Sequence, residues 1–327
     1  MAWPTWRVAM EQALYGPDGF FRRERPADHF RTSVHASDLF ATAIGRLADE
    51  CAARVVIDIG AGQGELLTAL ARHVPSLDLL GVELAARPPG LPAGIEWAPE
   101  LPDGVERALV IANEWLDNVP VEIVEVGRDG RPRVVHVDPA TGEESLGGPV
   151  AGEDAAWLST WWPLKAAEPG SRAEVGRSRD VAWAGVVSQI RDGVLIAIDY
   201  SHRRGDRPVY GTLAAYQDGR AVHPVPDGTR DITAHVALDS CAAAGEAVGT
   251  TSTFLTTQQH ALQRLGIDVG LPPRELATSD PPAYVAALAR TSEAAELLDS
   301  AGLGGFEWLV QAVGTEIPTA LTSSPRR

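Results

Sequence analysis

The 327-residue chain has only two cysteines, Cys51 and Cys241, and a single lysine, Lys165. Two thiols exclude a disulfide framework and a cysteine-based zinc site, and a free thiol pair suits a reducing, cytoplasmic setting. His29, His35, His202 and His223 show no metal-ligand spacing, so no metal is expected. Cations are scarce overall: 28 Lys+Arg stand against 44 Asp+Glu, a formal charge of −16. Neutralising phosphates needs clustered Lys and Arg, so a nucleic-acid partner and an anionic membrane surface are both excluded. The near-exclusive use of Arg is what codon bias in a GC-rich genome gives. No run of about 18 apolar residues exists, so no spanning helix is expected. The opening MAWPTWRVAMEQAL lacks both the basic-then-apolar order of a signal peptide and the Arg- and Ser-rich look of a transit peptide.

What is present is ordinary globular material, 45% hydrophobic and 22% charged. Leu39, Phe40, Ala43, Ile44 and Leu47 recur at three- and four-residue spacing, which predicts a helix from Ser37 to about Ala53. Val55–Ile59 is a short β-branched run that reads as a buried strand, and Leu66, Leu67, Leu70 and Ala71 form the next helical stripe. Further strands are expected at Leu77–Glu83, Ile95–Trp97, Ala108–Asn113 and Val194–Tyr200. Strands alternating with helical patterns indicate an α/β fold with a mostly parallel sheet and helices on both faces. Asp129-Gly130 and Asp218-Gly219 each sit between two β-like runs and predict hairpins. Trp157-Leu158 and Trp161-Trp162 at i,i+4 spacing read as a packing face, and 141–152 and 166–179 read as loops.

The sharpest motif is VVIDIGAGQGE. Glycines at 60, 62 and 64 follow a buried strand and precede a helix, where bare backbone can approach a ligand closely. A dinucleotide fingerprint would need glycine at position 65, which is Glu65. Asp58 precedes the loop, and Glu83 closes the second strand about 20 residues on, where an acid can accept both ribose hydroxyls. The alternative is a plain glycine-rich βα turn. The combination resembles class I S-adenosylmethionine-dependent methyltransferases, in which the loop passes under the methionine moiety and the strand-two acid holds the ribose.

Four further segments, DHFRTS from Asp28, NEWLDNVP from Asn113, IDYS from Ile198 and DITAHV from Asp231, occur in an order that resembles the MidA family. That family is related to the mitochondrial complex I assembly-factor protein arginine methyltransferase, and this chain looks like a divergent bacterial branch. The resemblance runs from about Tyr15 to Leu265. Departures fall at Val34-His35, Leu116, Asn118 and Ser201, where the family has Pro-Glu, an aromatic, Ala and Gly. The resemblance implies a Rossmann-like, seven-stranded, mostly parallel sheet with an N-terminal helical segment and an inserted hairpin and helical subdomain. It implies S-adenosyl-L-methionine as cofactor, held by Thr32, Ser33, Asp58, Gly60, Gly62, Gly64, Glu83 and Asn113. It places Glu114, Asp117 and His235 at the reaction, where paired carboxylates could grip a guanidinium. Other readings stay open: Asn113 and Asp117 as loop caps, His235 as a hydrogen-bonded core residue, a metabolite as acceptor, or a scaffold that keeps the fold without turnover.

The expected division is an N-terminal helical and lid segment over 1–53, a core over 54–120 and 190–315, an insertion over 121–189 and a flexible tail from 316. Asp231, Thr233 and His235 alternate with Ile232, Ala234 and Val236, one polar and one apolar face. That pattern suggests that 229–237 and 28–35 meet as a cover over the cofactor.

Overall fold

A computed structural model describes residues 3–23, 33 and 37–322. Its fourteen strands are β1 (Val55–Ile59), β2 (Asp78–Val82), β3 (Ile95–Ala98), β4 (Ala108–Asn113), β5 (Glu122–Val126), β6 (Pro132–Val137), β7 (Glu144–Pro149), β8 (Arg172–Val175), β9 (Gly193–Asp199), β10 (Ala214–Gln217), β11 (Arg220–Val222), β12 (Asp231–Thr233), β13 (Ser252–Thr257) and β14 (Glu307–Val313). The chain divides into two compact units. One comprises the described parts of Arg31–Asn113, Ile190–Ile198 and Thr251–Arg327; the other comprises those of Met1–Phe30, Glu114–Gln189 and Asp199–Thr250.

The first unit is built on a seven-stranded sheet in the order β13-β14-β9-β4-β1-β2-β3. β1 pairs in parallel with β2 and β4, β2 with β3 and β4 with β9, while β13 and β14 pair antiparallel. This is the expected Rossmann-like methyltransferase fold. The strand order reverses between β1 and β4, and in open α/β sheets that switch point leaves a crevice at the carboxyl ends of the strands. The helix Asp38–Glu50 starts where Ser37 Oγ accepts the Leu39 amide at 3.0 Å. It turns Phe40, Ala43, Ile44 and Leu47, all fully buried, onto a core shared with Leu67, Ile196 and Trp308. The Trp308 indole meets Phe40 edge-on at 6.4 Å, and its N–H donates to Gln258 Oε1 at 3.3 Å. The chain stays packed beyond residue 316. Ile317 rests on the core and Leu321, in the short helix Thr319–Thr322, is fully buried, so order extends past the expected start of the tail.

The second unit contains two small antiparallel sheets, β7-β6-β5-β8 and β11-β10-β12. Asp218 and Gly219 both have positive φ, 51° and 71°, which matches the twist of a two-residue hairpin turn between β10 and β11. The stretch 141–152 is not simply a loop, because β7 runs through it on the edge of the sheet. Its sequence, ESLGGP, carries two glycines and a proline and is mostly exposed, so no alternation marks it. Likewise 166–179 contains β8 and the start of the helix Arg177–Ser188. The helix Trp6–Tyr15 packs Trp6, Met10 and Leu14 against Ile123 and Val135, which groups the N-terminus with the insertion. The expected tryptophan packing face is there: Trp157, Leu158 and Trp162 bury against Val124, Val126 and Val175.

Trp308 fills the centre of the first core. Replacing it with Ala should cost about 3–5 kcal/mol through lost burial and a cavity. Urea unfolding monitored by circular dichroism should show the loss as a lowered midpoint.

Candidate functional site

At the carboxyl end of β1 the chain turns through Gly60, Gly62 and Gly64 with φ of 71°, 56° and 77°. Side-chain-bearing residues rarely adopt this region, so three glycines within five residues are a conformational requirement. The Gly60 amide donates to the Val82 carbonyl at 2.9 Å, tying the loop to β2. A Cβ on Gly62 would meet only Glu65 Oε2, 3.5 Å away, so the space above this glycine is open. Glu83, just past β2, accepts the Gly62 amide at 3.2 Å on Oε2 and the Ala85 amide at 3.1 Å on Oε1. Those bonds fix the carboxylate beside the loop. Asp58 is buried under it, and burial together with the nearby Glu65 and Glu83 carboxylates holds its pKa well above the usual range. Asn113 is the last residue of β4.

The second unit carries the other predicted residues. Glu114 is partly buried and has φ 52°, a strained conformation for a non-glycine residue. Asp117 is buried, and its Oδ2 accepts the Thr233 hydroxyl at 2.6 Å. Asp199, fully buried, accepts the Leu116 and Asp117 amides on Oδ2 at 3.1 and 3.2 Å, which fixes the turn that follows β4. Burial raises both carboxyl pKa values, most strongly at Asp199, where Asp117 and Glu114 add to the effect and Arg179 opposes it. Asp231 is buried as well and accepts Asn118 Nδ2 at 2.8 Å; burial and the Asp117 charge push its pKa up to about 8.

Arg179 lies inside this acid cluster with 1% of its surface exposed. Its guanidinium donates to the carbonyls of Asp117 at 2.5 Å, His235 at 2.8 Å and Val119 at 3.2 Å. It therefore clips the turn after β4 to the segment carrying His235. His235 is exposed and its ring stacks on Tyr200, 5.6 Å between centroids at 20°. Partial desolvation and the Arg179 charge lower its pKa, so the imidazole is neutral at physiological pH.

These positions refine the sequence expectations. Ser33 is buried; its hydroxyl donates to Gln258 Oε1 at 3.3 Å and accepts from Gln258 Nε2 at 2.9 Å, which places it in the sheet core. Thr32 and the rest of 28–35 lie outside the described residues. In the expected cover, 229–237, the apolar face is buried as predicted, but Asp231 and Thr233 are turned inward onto Asn118 and Asp117. β12 thus belongs to a packed sheet, and of the three polar side chains only His235 stays exposed. Asp117 is buried, with Oδ2 taken by the Thr233 hydroxyl and Oδ1 left without a hydrogen-bond partner. Arg179 and Glu174 were invisible in the sequence. An Arg in RSRD or a Glu in RAEV looks like a solvated charge, and only the tertiary fold encloses them. Glu174 accepts the Thr212 and Leu213 amides at 2.7 and 3.1 Å.

A seven-stranded, mostly parallel sheet with this glycine loop and strand-two acid defines the class of Rossmann-like, S-adenosyl-L-methionine-dependent methyltransferases. The chain belongs to the family Methyltransf_28, described as "Putative S-adenosyl-L-methionine-dependent methyltransferase", whose model matches residues 78–256, just over half of the sequence. It is similar, at 27% identity and a TM-score of 0.80, to a COG1565 superfamily member from Burkholderia thailandensis in complex with S-adenosyl-homocysteine; the match covers 99% of this chain and 92% of that one. A native structure of a COG1565 superfamily protein from the same species matches equally, covering 91% of that chain. No curated protein matches the sequence. The protein is an S-adenosyl-L-methionine-dependent methyltransferase. Among the described residues no helix is long and apolar enough to cross a membrane, and no group of three or more His, Cys, Asp or Glu could hold a metal.

Gly62→Val should abolish S-adenosylhomocysteine binding in calorimetric titration, by filling the space above the loop and forcing a branched residue to positive φ. Glu83→Ala should weaken the same binding by about ten- to a hundredfold, the loss expected for charge-assisted hydrogen bonds. Wild-type affinity in both variants would remove these residues from the cofactor site. The raised Asp231 pKa makes a second, separate prediction. A carboxyl that titrates higher in the folded than in the unfolded state stabilises the fold below about pH 4, and that stability is lost as pH rises toward 8. Urea midpoints should fall across this window, and Asp231→Asn should flatten the slope.

Proposed function

We propose that this methyltransferase modifies an arginine side chain of a protein. The reading extends the resemblance to the MidA family, and the observation that carries it is Glu114. This carboxylate follows directly on the end of β4, in a strained left-handed backbone conformation of the kind that marks functional positions. A carboxylate is the group that pairs with a guanidinium through two parallel hydrogen bonds. Three buried acids of the same unit hold its main chain and side chains together: Asp117 through Thr233, Asp199 through the turn amides, Asp231 through Asn118. Their role in this reading is to hold the turn in place, so Asp117 acts as a positioning residue.

On the cofactor side we assign Asp58, Gly60, Gly62, Gly64, Glu83 and Asn113, with Thr32 and Ser33 added on the resemblance alone. The open space over Gly62 and the anchored Glu83 carboxylate fit the group. Bound there, S-adenosyl-L-methionine supplies a methyl on a sulfonium. The displacement needs no protein nucleophile, so the residues contribute alignment and proton handling. Glu114 orients the acceptor nitrogen. His235, neutral because desolvation and Arg179 disfavour its cation, takes up the proton released as that nitrogen is methylated.

Asn118 bears on the alternative of a small-molecule acceptor. It departs from the family's Ala. Its amide donates to Asp231 Oδ1 at 2.8 Å and to the Ile232 carbonyl at 3.2 Å, inside the unit. The substitution serves the internal network, so it does not by itself favour a different acceptor.

Mass-spectrometric comparison of methylated proteins and metabolites, with and without this chain, tests the reading. Methylarginine should appear in the protein fraction; methyl incorporation confined to metabolites, or none at all, would overturn it. Glu114→Gln should lower kcat by about 10²-fold or more while leaving S-adenosylhomocysteine affinity unchanged. Lost cofactor affinity with turnover retained at saturating cofactor would put Glu114 on the wrong side of the reaction.

A further inference from the structure

We infer that Tyr200 and His235 form a preorganised aromatic platform that binds the flat face of a guanidinium, making Tyr200 a specificity-determining residue for the acceptor. The inference rests on the arginine reading above and adds the surface that selects arginine over lysine.

Tyr200 follows directly on the fully buried Asp199 yet leaves 40% of its own surface exposed. Large aromatics next to a sheet core normally turn inward, where their apolar area is worth most. Here Tyr200 and His235 are both exposed and stack on one another. Their backbones are locked side by side. The Val236 amide donates to the Tyr200 carbonyl at 2.8 Å, and the His202 amide donates to the Val236 carbonyl at 3.1 Å, with Ser201 and Val236 forming a parallel bridge. The His235 amide donates to Thr212 Oγ1 at 2.9 Å, and its carbonyl is held by Arg179 at 2.8 Å. A backbone bonded on both strands and pinned by a buried guanidinium gives the ring pair little freedom to reorganise on binding, and that is what a recognition surface needs.

The surroundings specify the ligand. Burial, with the charges of Glu114 and Asp117 added to it, keeps the Tyr200 phenol protonated. A neutral π face in a field of negative sign attracts a cation, and a planar delocalised one can stack while pairing edge-on with an acid. A guanidinium satisfies both demands at once. A lysine ammonium, a compact and strongly hydrated point charge, satisfies only the Coulombic one.

The test uses the full-length protein saturated with S-adenosylhomocysteine and two probes, acetyl-Gly-Arg-Gly-amide and acetyl-Gly-Lys-Gly-amide, titrated by NMR. Wild type should bind the arginine probe more tightly than the lysine probe. Tyr200→Phe keeps the ring and should bind the arginine probe within about twofold of wild type, whereas Tyr200→Leu should lose about tenfold. Both variants should keep S-adenosylhomocysteine affinity, which reports that they are folded. Tyr200 keeps 40% of its surface exposed, and leucine leaves an apolar side chain over the covered part. Arginine binding unchanged in Tyr200→Leu, with methylarginine still formed by wild type, would overturn the platform and leave the arginine reading standing. Equal binding of the two probes by wild type would also overturn the platform, since no flat cation is then being recognised. Failure of wild type to bind or methylate arginine would overturn the reading and the platform together.

Discussion

A guanidinium cannot be sealed from water unless its donors are satisfied and its charge is balanced, and the second unit is organised around meeting that demand for Arg179. Three carbonyls, from Asp117, Val119 and His235, take its hydrogen bonds. The carboxyls of Asp117, Asp199 and Glu174 supply the compensating field. None of these acids forms the usual salt bridge with it. Each is tied instead to a backbone amide or a hydroxyl, Asp199 to Leu116, Glu174 to Thr212 and Asp117 to Thr233. The result is a network in which Arg179, Asp199 and Glu174 each hold a piece of main chain and Asp117 holds a hydroxyl. A turn, a β-strand end and a histidine segment, far apart in sequence, are thereby fixed to one another. Net stability is not the evident reason for such a cluster, because well-packed apolar residues often serve as well. Its evident product is geometric definition of the turn carrying Glu114 and of the Tyr200–His235 pair.

The first unit works by a different rule. The glycine loop is shaped by three positive φ angles, and the Glu83 carboxylate beside it is oriented by two backbone amides. Placing that loop needs only a stiff parallel sheet, which β-branched strands such as VVIDI supply readily. A cofactor common to many acceptors suits a backbone cradle, because it tolerates drift in side chains. In the proposed reading, acceptor choice falls to side chains such as Glu114 and Tyr200, which lie outside the sheet unit.

The sheet unit was legible because its signals are local. Val55–Ile59 is a closed apolar run, and the helix Asp38–Glu50 carries an unbroken three- and four-residue stripe with Ser37 as its cap. Glycines at 60, 62 and 64 announce a backbone conformation that few other residues reach. The sequence by itself thus determined the Rossmann-like sheet, the methyltransferase class and the conformation of the glycine loop. Only the tertiary structure decided what the remaining charges do. β7 and β8 hide in glycine-rich or very short stretches, since edge strands need no regular alternation and pairing comes from partners distant in sequence. Arg179 lies in the first turn of the helix that follows β8, and nothing local distinguishes it from the partly buried Arg177 two residues before it. Its burial, the inward turn of Asp117 and Asp231, and the exposure of Tyr200 are set by long-range packing, because whether a polar side chain is solvated or enclosed depends on what the rest of the chain brings to it.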